Sequence, residues 1–147
     1  VTDFLLRQST DEDAAWIAEL RAVVMRPDLE RLGVFDPVRV RERFLGGFDP
    51  ARTLVIEVEG RGAGSIAIRR EDAETWIEHF YLAEHAQGRG IGGAVLARVL
   101  NEYADGRPFR INVLRGSAAS RLYARHGFVD ESDDGVDLYL VRDALTA

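Results

Sequence analysis

A chain of 147 residues, 46% hydrophobic and 30% charged, has the size and balance of one globular domain with a buried core. Lacking cysteine, it forms no disulfide, thiolate metal site or cysteine nucleophile, and its net charge of −6 argues against a nucleic-acid partner. No apolar run approaches the ~20 residues of a membrane helix, and Val1 to Arg7 lacks the basic lead and apolar core of a signal peptide, so a cytoplasmic protein without membrane attachment is expected.

Leu5-Leu6-Arg7 is a short strand candidate. Ser9 or Thr10 then caps a helix with acids in its first turn and an apolar face of Ala14, Ile17, Ala18, Leu20 and Val24. Pro27 is expected to break it, leaving Asp28 to Phe35 as a long irregular connection. Asp36 and Pro37 supply the N-cap and first residue of a second helix, which Gly46-Gly47 closes. Thr53 to Val58 and Ser65 to Ile68, joined through Glu59-Gly60-Arg61-Gly62, read as a hairpin. Thr75 to Leu82 is a third, aromatic-rich strand.

Apolar residues at 91, 95, 96, 99 and 100 have helical spacing and predict a helix from Ile91 to Tyr103. Phe109 to Leu114 reads as a strand and Ser117 to His126 as a helix stopped by Gly127. Asp133-Asp134-Gly135 then turns Phe128-Val129 back into Val136 to Val141 as a terminal hairpin. The order β-α-α-β-β-β-α-β-α-β-β predicts an α/β (α+β) fold, with residues 1–147 as a single domain around a central sheet.

The most informative segment is Gln87-Gly88-Arg89-Gly90-Ile91-Gly92-Gly93, between a strand and a helix. Glycines let a backbone turn tightly against a ligand, and the free N–H groups of a helix start favour an anion. The loop therefore suits a phosphate or pyrophosphate, with Arg89 adding charge. Glycines that serve the turn alone are a second reading. The run from Gly88 to Gly93 also satisfies the dinucleotide pattern G-x-G-x-x-G. Against that, Ala83 to Gln87 separates strand from glycine, and Phe109 to Leu114 carries no ribose-binding acid.

The same loop, following Ile77-Glu78-His79-Phe80-Tyr81-Leu82, resembles the acetyl-CoA loop of the GNAT acetyltransferase superfamily. Val113 to Phe128, with Leu122-Tyr123 and Gly127-Phe128, resembles a second superfamily block, Asn-Pro-Ala-x-x-Leu-Tyr-x-x-x-Gly-Phe. The resemblance implies a mixed, mostly antiparallel sheet flanked by helices and an N-acetyltransferase that uses acetyl-CoA as cosubstrate and needs no metal. Backbone groups of Phe80, Tyr81 and Leu82, at the family's bulge, would pair with the pantetheine arm. Amides of Gln87, Gly88, Arg89, Gly90, Ile91, Gly92 and Gly93 would hold the pyrophosphate. The strands 75–82 and 109–114 would splay to admit the thioester. Ser117 stands where the family usually has Asn, so a weaker contact is expected there.

An attacking amine must be neutral, which at pH 7 costs ~4.6 kcal/mol for a lysine-like group and ~1.4 kcal/mol for an α-amine. Tyr123 occupies the family's tyrosine position and is the expected general acid for the departing thiolate, against the plainer reading of a packing tyrosine. The positions where many members carry a basic glutamate hold Trp76 and Asn112. Glu78, on the Trp76 face by alternation, is the candidate base, with an ion-paired surface acid as the plainer reading. Asn112 is read as positioning water or binding the acceptor. His79, His85 and His126 lack metal-ligand spacing, and His79 is a candidate proton shuttle.

In the family the N-terminal helices and final hairpin wall the acceptor pocket. Arg21 and Arg26 there suit a carboxylate or phosphate of the acceptor, or else act as surface or ion-paired residues. The acids Asp130, Glu131, Asp133, Asp134 and Asp137 suit a cation or form only an exposed turn. The expected partner is a small-molecule or peptide amine, with a homodimer left open. The alternative from another class is a non-catalytic acyl-CoA-binding module.

Overall fold

The computed structural model describes residues 3–144; Val1 and Thr2, where the stretch read for a leader begins, lie outside the described residues. The elements follow the expected order: β1 Leu5–Gln8, α1 Ala14–Arg31, α2 Pro37–Gly47, β2 Thr53–Val58, β3 Arg61–Arg70, β4 Thr75–Leu82, α3 Ile91–Glu102, β5 Phe109–Leu114, α4 Ala119–Arg125, β6 Val129–Asp133 and β7 Asp137–Arg142. Short 3-10 turns, Asp11–Asp13 and Glu84–Ala86, precede α1 and α3. The sheet order is β1-β2-β3-β4-β5-β7-β6. Ladders β1–β2, β2–β3, β5–β7 and β6–β7 are antiparallel and β4–β5 is parallel, so the sheet is mixed. The chain divides into two compact units, residues 1–67 with 79–91 and residues 68–78 with 92–147.

In the first unit α1 buries Ile17, Ala18, Arg21 and Ala22. Its apolar stripe packs with Phe44, Val55 and Tyr81, flanked by Leu20, Val24 and Met25. Pro27 does not break this helix, contrary to expectation. Proline removes one N–H and crowds the carbonyl four residues back, which here belongs to Val23, on the exposed side of the helix. The helix ends instead at Gly33, whose φ is +74°. Much of the predicted irregular connection is therefore helical. Asp36 caps α2 as expected, its carboxylate accepting from the N–H groups of Val38 and Arg39 at 2.9 Å.

The β2–β3 hairpin turns on Glu59 and Gly60 alone, with φ of 55° and 79°. Two consecutive positive φ values match the strand twist of a two-residue turn. Arg61 therefore already pairs with Val58, and β3 starts earlier than the expected Ser65. Gly64 has a packing reason: a Cβ there would lie 2.2 Å from the Tyr81 carbonyl oxygen.

In the second unit the predicted apolar positions of α3, Val95, Leu96, Val99 and Leu100, are all buried. A Cβ on Gly92 or Gly93 would touch Leu122 or His126 of α4 at 3.7 Å, so these glycines also let two helices pack closely. Strand β4 pairs with β5 through Thr75–Phe109 and Trp76–Arg110. Strand β5 pairs along its length with β7, from Phe109–Arg142 to Leu114–Asp137. Helix α4 is shorter than the predicted 117–126, because the Ser117 hydroxyl accepts from Ala119 N–H and caps it from outside.

Candidate active site

The second half of β4 departs from regular strand geometry. His79 has φ of 48°, in the left-handed region. A non-glycine residue held there is strained by ~1–3 kcal/mol and persists only where its surroundings over-determine it. The surroundings do so. The hydroxyl of the fully buried Ser65 donates to the His79 carbonyl at 2.8 Å, and the imidazole meets the Phe44 ring edge-on at 5.0 Å. Its Nδ1 lies 2.9 Å from the Tyr81 hydroxyl oxygen, which accepts from Arg21 Nε at 2.8 Å. Arg21 Nη1 also donates to the Val40 carbonyl of α2.

Beyond β4, the Glu84–Ala86 turn leads into the glycine loop. Gln87 N–H donates back to the Glu84 carbonyl at 3.0 Å, so the amides open to an anion begin at Gly88 and not, as read from sequence, at Gln87. The Gln87 side chain instead ties the loop to the Leu82 carbonyl at 2.8 Å. Gly88 and Gly90 have φ of 73° and 78° on either side of Arg89, and α3 starts at Ile91. Such alternation turns successive N–H groups into one concavity, and the first N–H groups of a helix have no intrahelical acceptor. A Cβ on Gly88 would meet nothing within 4 Å, which leaves room beside the backbone. The concavity offers N–H donors to an anion. Arg89 pairs with Glu59 at 3.0 Å and reaches the His85 carbonyl at 3.4 Å.

In the second unit Tyr123 is buried on α4, its ring 6.0 Å from that of Phe128. The Phe128 and Gly127 N–H groups close the helix onto the carbonyls of Tyr123 and Ala124, with Gly127 at φ 89°. The glycine-phenylalanine pair thus fixes the backbone that carries the tyrosine. Glu78 accepts from Arg69 Nε at 3.0 Å and Nη2 at 2.6 Å, while the same guanidinium lies over the Trp76 ring at 5.6 Å. Trp76 and Glu78 therefore share a face, as alternation predicted. The pairing with Glu78, foremost, pushes the Arg69 pKa up. Asn112 is exposed, its Nδ2 3.4 Å from Asp137.

A family model described as an acetyltransferase (GNAT) domain matches residues 49–130, more than half of the chain. The chain belongs to the GNAT acetyltransferase family. Membership makes it an acyl-CoA-dependent acetyltransferase, and the matched segment holds β4, the glycine loop and Tyr123. Solved GNAT relatives share the fold. The PaiA N-acetyltransferase of Thermoplasma acidophilum, in complex with coenzyme A, superposes with a TM-score of 0.74 at 15% identity over 97% of this chain and 99% of that one. An N-acetyltransferase of Staphylococcus aureus gives 0.72 at 20% identity, over 93% and 99%. The N-acetylglutamate synthase of Neisseria gonorrhoeae, complexed with coenzyme A and L-arginine, gives 0.69 at 20% identity, over 97% of this chain and 34% of that one. No curated protein matches in sequence.

Sequence reasoning missed the cluster around Arg21 in this GNAT chain. Of its readings for Arg21, surface exposure and ion pairing both fail, because the residue is 9% exposed and its described bonds go to neutral oxygens. The signal was present in β4, where buried Ile77 and Tyr81 bracket His79 in strict alternation, placing polar groups on a core-facing side. Arg26 pairs with Glu30 and covers the Phe35 ring at 4.7 Å. His126 Nδ1 lies 2.9 Å from the Leu122 carbonyl, and His85 is exposed. No group of metal-ligating side chains gathers, and no helix is long and apolar enough to cross a membrane, among the described residues.

Proposed function

We propose that this acetyltransferase, acting as one domain over the whole chain, moves the acetyl group of acetyl-CoA to a primary amine by direct attack. The acceptor is a small molecule or an exposed peptide amine. The observation that carries this reading is the alternating loop at Gly88 and Gly90, opening α3 directly after a strand strained at His79. Amides from Gly88 to Ile91 bind the diphosphate, and Arg89 adds charge by exchanging Glu59 for a phosphate oxygen. Main-chain groups of Phe80, Tyr81 and Leu82 orient the pantetheine arm. Gly92 and Gly93 contribute by keeping α3 slim at its start, and Ser117 by capping α4.

Bound acetyl-CoA supplies an acyl carbon activated as a thioester. On the protein's side, Tyr123 donates a proton to the departing sulfur. Glu78 receives the proton of the amine, directly or through water, with Arg69 fixing the carboxylate and loosening as it is neutralised. Asn112 orders the acceptor or its water. Positioning two bound reactants supplies much of the remaining acceleration.

Calorimetry with acetyl-CoA, paired with thiol release across a panel of amines, tests this reading. Binding that is lost in Gly90→Val, together with amine-dependent thiol release, is expected. A folded wild-type protein that takes up no acetyl-CoA would refute it, and tight binding without turnover of any amine would reduce it to an acyl-CoA-binding module.

A further inference from the structure

We infer that the acceptor amine carries a carboxylate and that Arg21 receives it; this rests on the acetyl-transfer reading above. A guanidinium only 9% exposed has lost most of its hydration, and burial of that kind is ordinarily compensated by an anion. Elsewhere in this chain it is: Arg7 holds Asp13 and Glu57, Arg69 holds Glu78, and Arg110 holds Glu74 and Glu131. Arg21, more buried than any of these, has as hydrogen-bond partners among the described residues only the Tyr81 hydroxyl and the Val40 carbonyl. Of the five N–H groups of a guanidinium, three then have no acceptor among the described residues.

The cluster also bears the mark of a site and not merely of a core. Tyr81 links Arg21 to His79, the one residue of β4 held at positive φ, in the stretch proposed to carry the pantetheine arm. Neither group hydrogen-bonded to Arg21, the Tyr81 hydroxyl of β4 or the Val40 carbonyl of α2, brings a negative charge. A carboxylate satisfies the remaining donors with two parallel hydrogen bonds, a geometry that a guanidinium matches and an ammonium does not. The donor's own phosphates have a separate seat in the glycine loop. The substrate class is therefore an amino acid or similar amino-carboxylate.

The test measures thiol release from acetyl-CoA with the standard amino acids, their carboxamides and the matching decarboxylated amines, using wild type, Arg21→Met and Arg21→Lys. At least one amino acid should exceed its carboxamide and its decarboxylated amine about 100-fold in kcat/KM. Arg21→Met should erase that preference through KM, leave acetyl-CoA affinity by calorimetry unchanged, and melt no lower than wild type, since an apolar chain replaces an uncompensated charge. Arg21→Lys should fold and keep a preference reduced about tenfold. Equal turnover of acids and amides, no release with any amino acid while acetyl-CoA still binds, or a preference intact in Arg21→Met would overturn the inference and leave acetyl transfer standing. Failure of the wild type to bind acetyl-CoA would remove both.

Discussion

The two halves of β4 treat polar side chains in opposite ways. From Thr75 to Glu78 the strand is regular, pairs with β5, and places Trp76 and Glu78 against Arg69, so charge meets charge at a half-exposed face. The half from His79 to Leu82 begins on a strained residue, His79, and in it a buried cation faces a phenol and a carbonyl. The first half is arranged as a stable surface is arranged. The second carries strain and uncompensated charge, features that cost stability and recur where a ligand completes the arrangement. The difference teaches that adjoining stretches of one strand can place their charges in opposite settings, and that the partner of each charge distinguishes them.

The comparison can be broken most severely at Gly64. Gly64→Ala puts a methyl 2.2 Å from the Tyr81 carbonyl, an atom that moves only with the strand, and should abolish soluble folding or cost about 3 kcal/mol or more in chemical denaturation. A fully stable variant would show that the second half of β4 is soft. Tyr123→Phe comes next: kcat should fall about 10²- to 10³-fold with acetyl-CoA affinity unchanged, because only proton delivery is removed. Unaltered kcat would leave Tyr123 as a packing residue against Phe128.

Glu78→Gln sharpens the contrast from the regular half. If the carboxylate accepts the amine proton despite Arg69, kcat should drop about 10- to 100-fold with acetyl-CoA affinity unchanged. An unchanged kcat would assign Glu78 wholly to the surface ion pair. Acid titration probes charge compensation at the sheet edge. There Asp13 is buried, and its pKa is held well below the usual carboxylate range, first by hydrogen bonds from Arg7. The folded form binds that proton less readily than the unfolded chain. Stability from this group is therefore complete above about pH 4 and lost as pH falls toward the depressed value. Asp13→Asn should remove about 1–2 kcal/mol at pH 7 and flatten the acid slope in denaturant melts. Smallest of all is Thr75→Val: the buried hydroxyl has no hydrogen-bond partner among the described residues, so melting should be unchanged or rise slightly.

Much of the fold was legible because it follows from local rules. The apolar period of α3, the Asp36-Pro37 start of α2, and the ends of β2, β4 and β5 match the elements predicted from the chain. Pro27 misled because the rule for proline is local, whereas the helix around it is held by a buried face that proline does not touch. The glycine turn before α3 and the place of Tyr123 on α4 could be read directly. The engagement of Gln87 N–H could not, since it depends on how the Glu84–Ala86 turn closes.

By itself, the sequence determined element order and the glycine-bearing helix start, because backbone sterics and periodicity act over a few residues, and its two motifs carried the resemblance to the family. Only the tertiary structure decided which charge meets which partner. Arg21, Arg26 and Arg69 are the same chemical group, and folding alone gives one of them two neutral oxygens, another an exposed glutamate and the third two glutamates and the face of a tryptophan. Burial and pairing are long-range properties, set by residues 19 to 60 positions away in the case of Arg21.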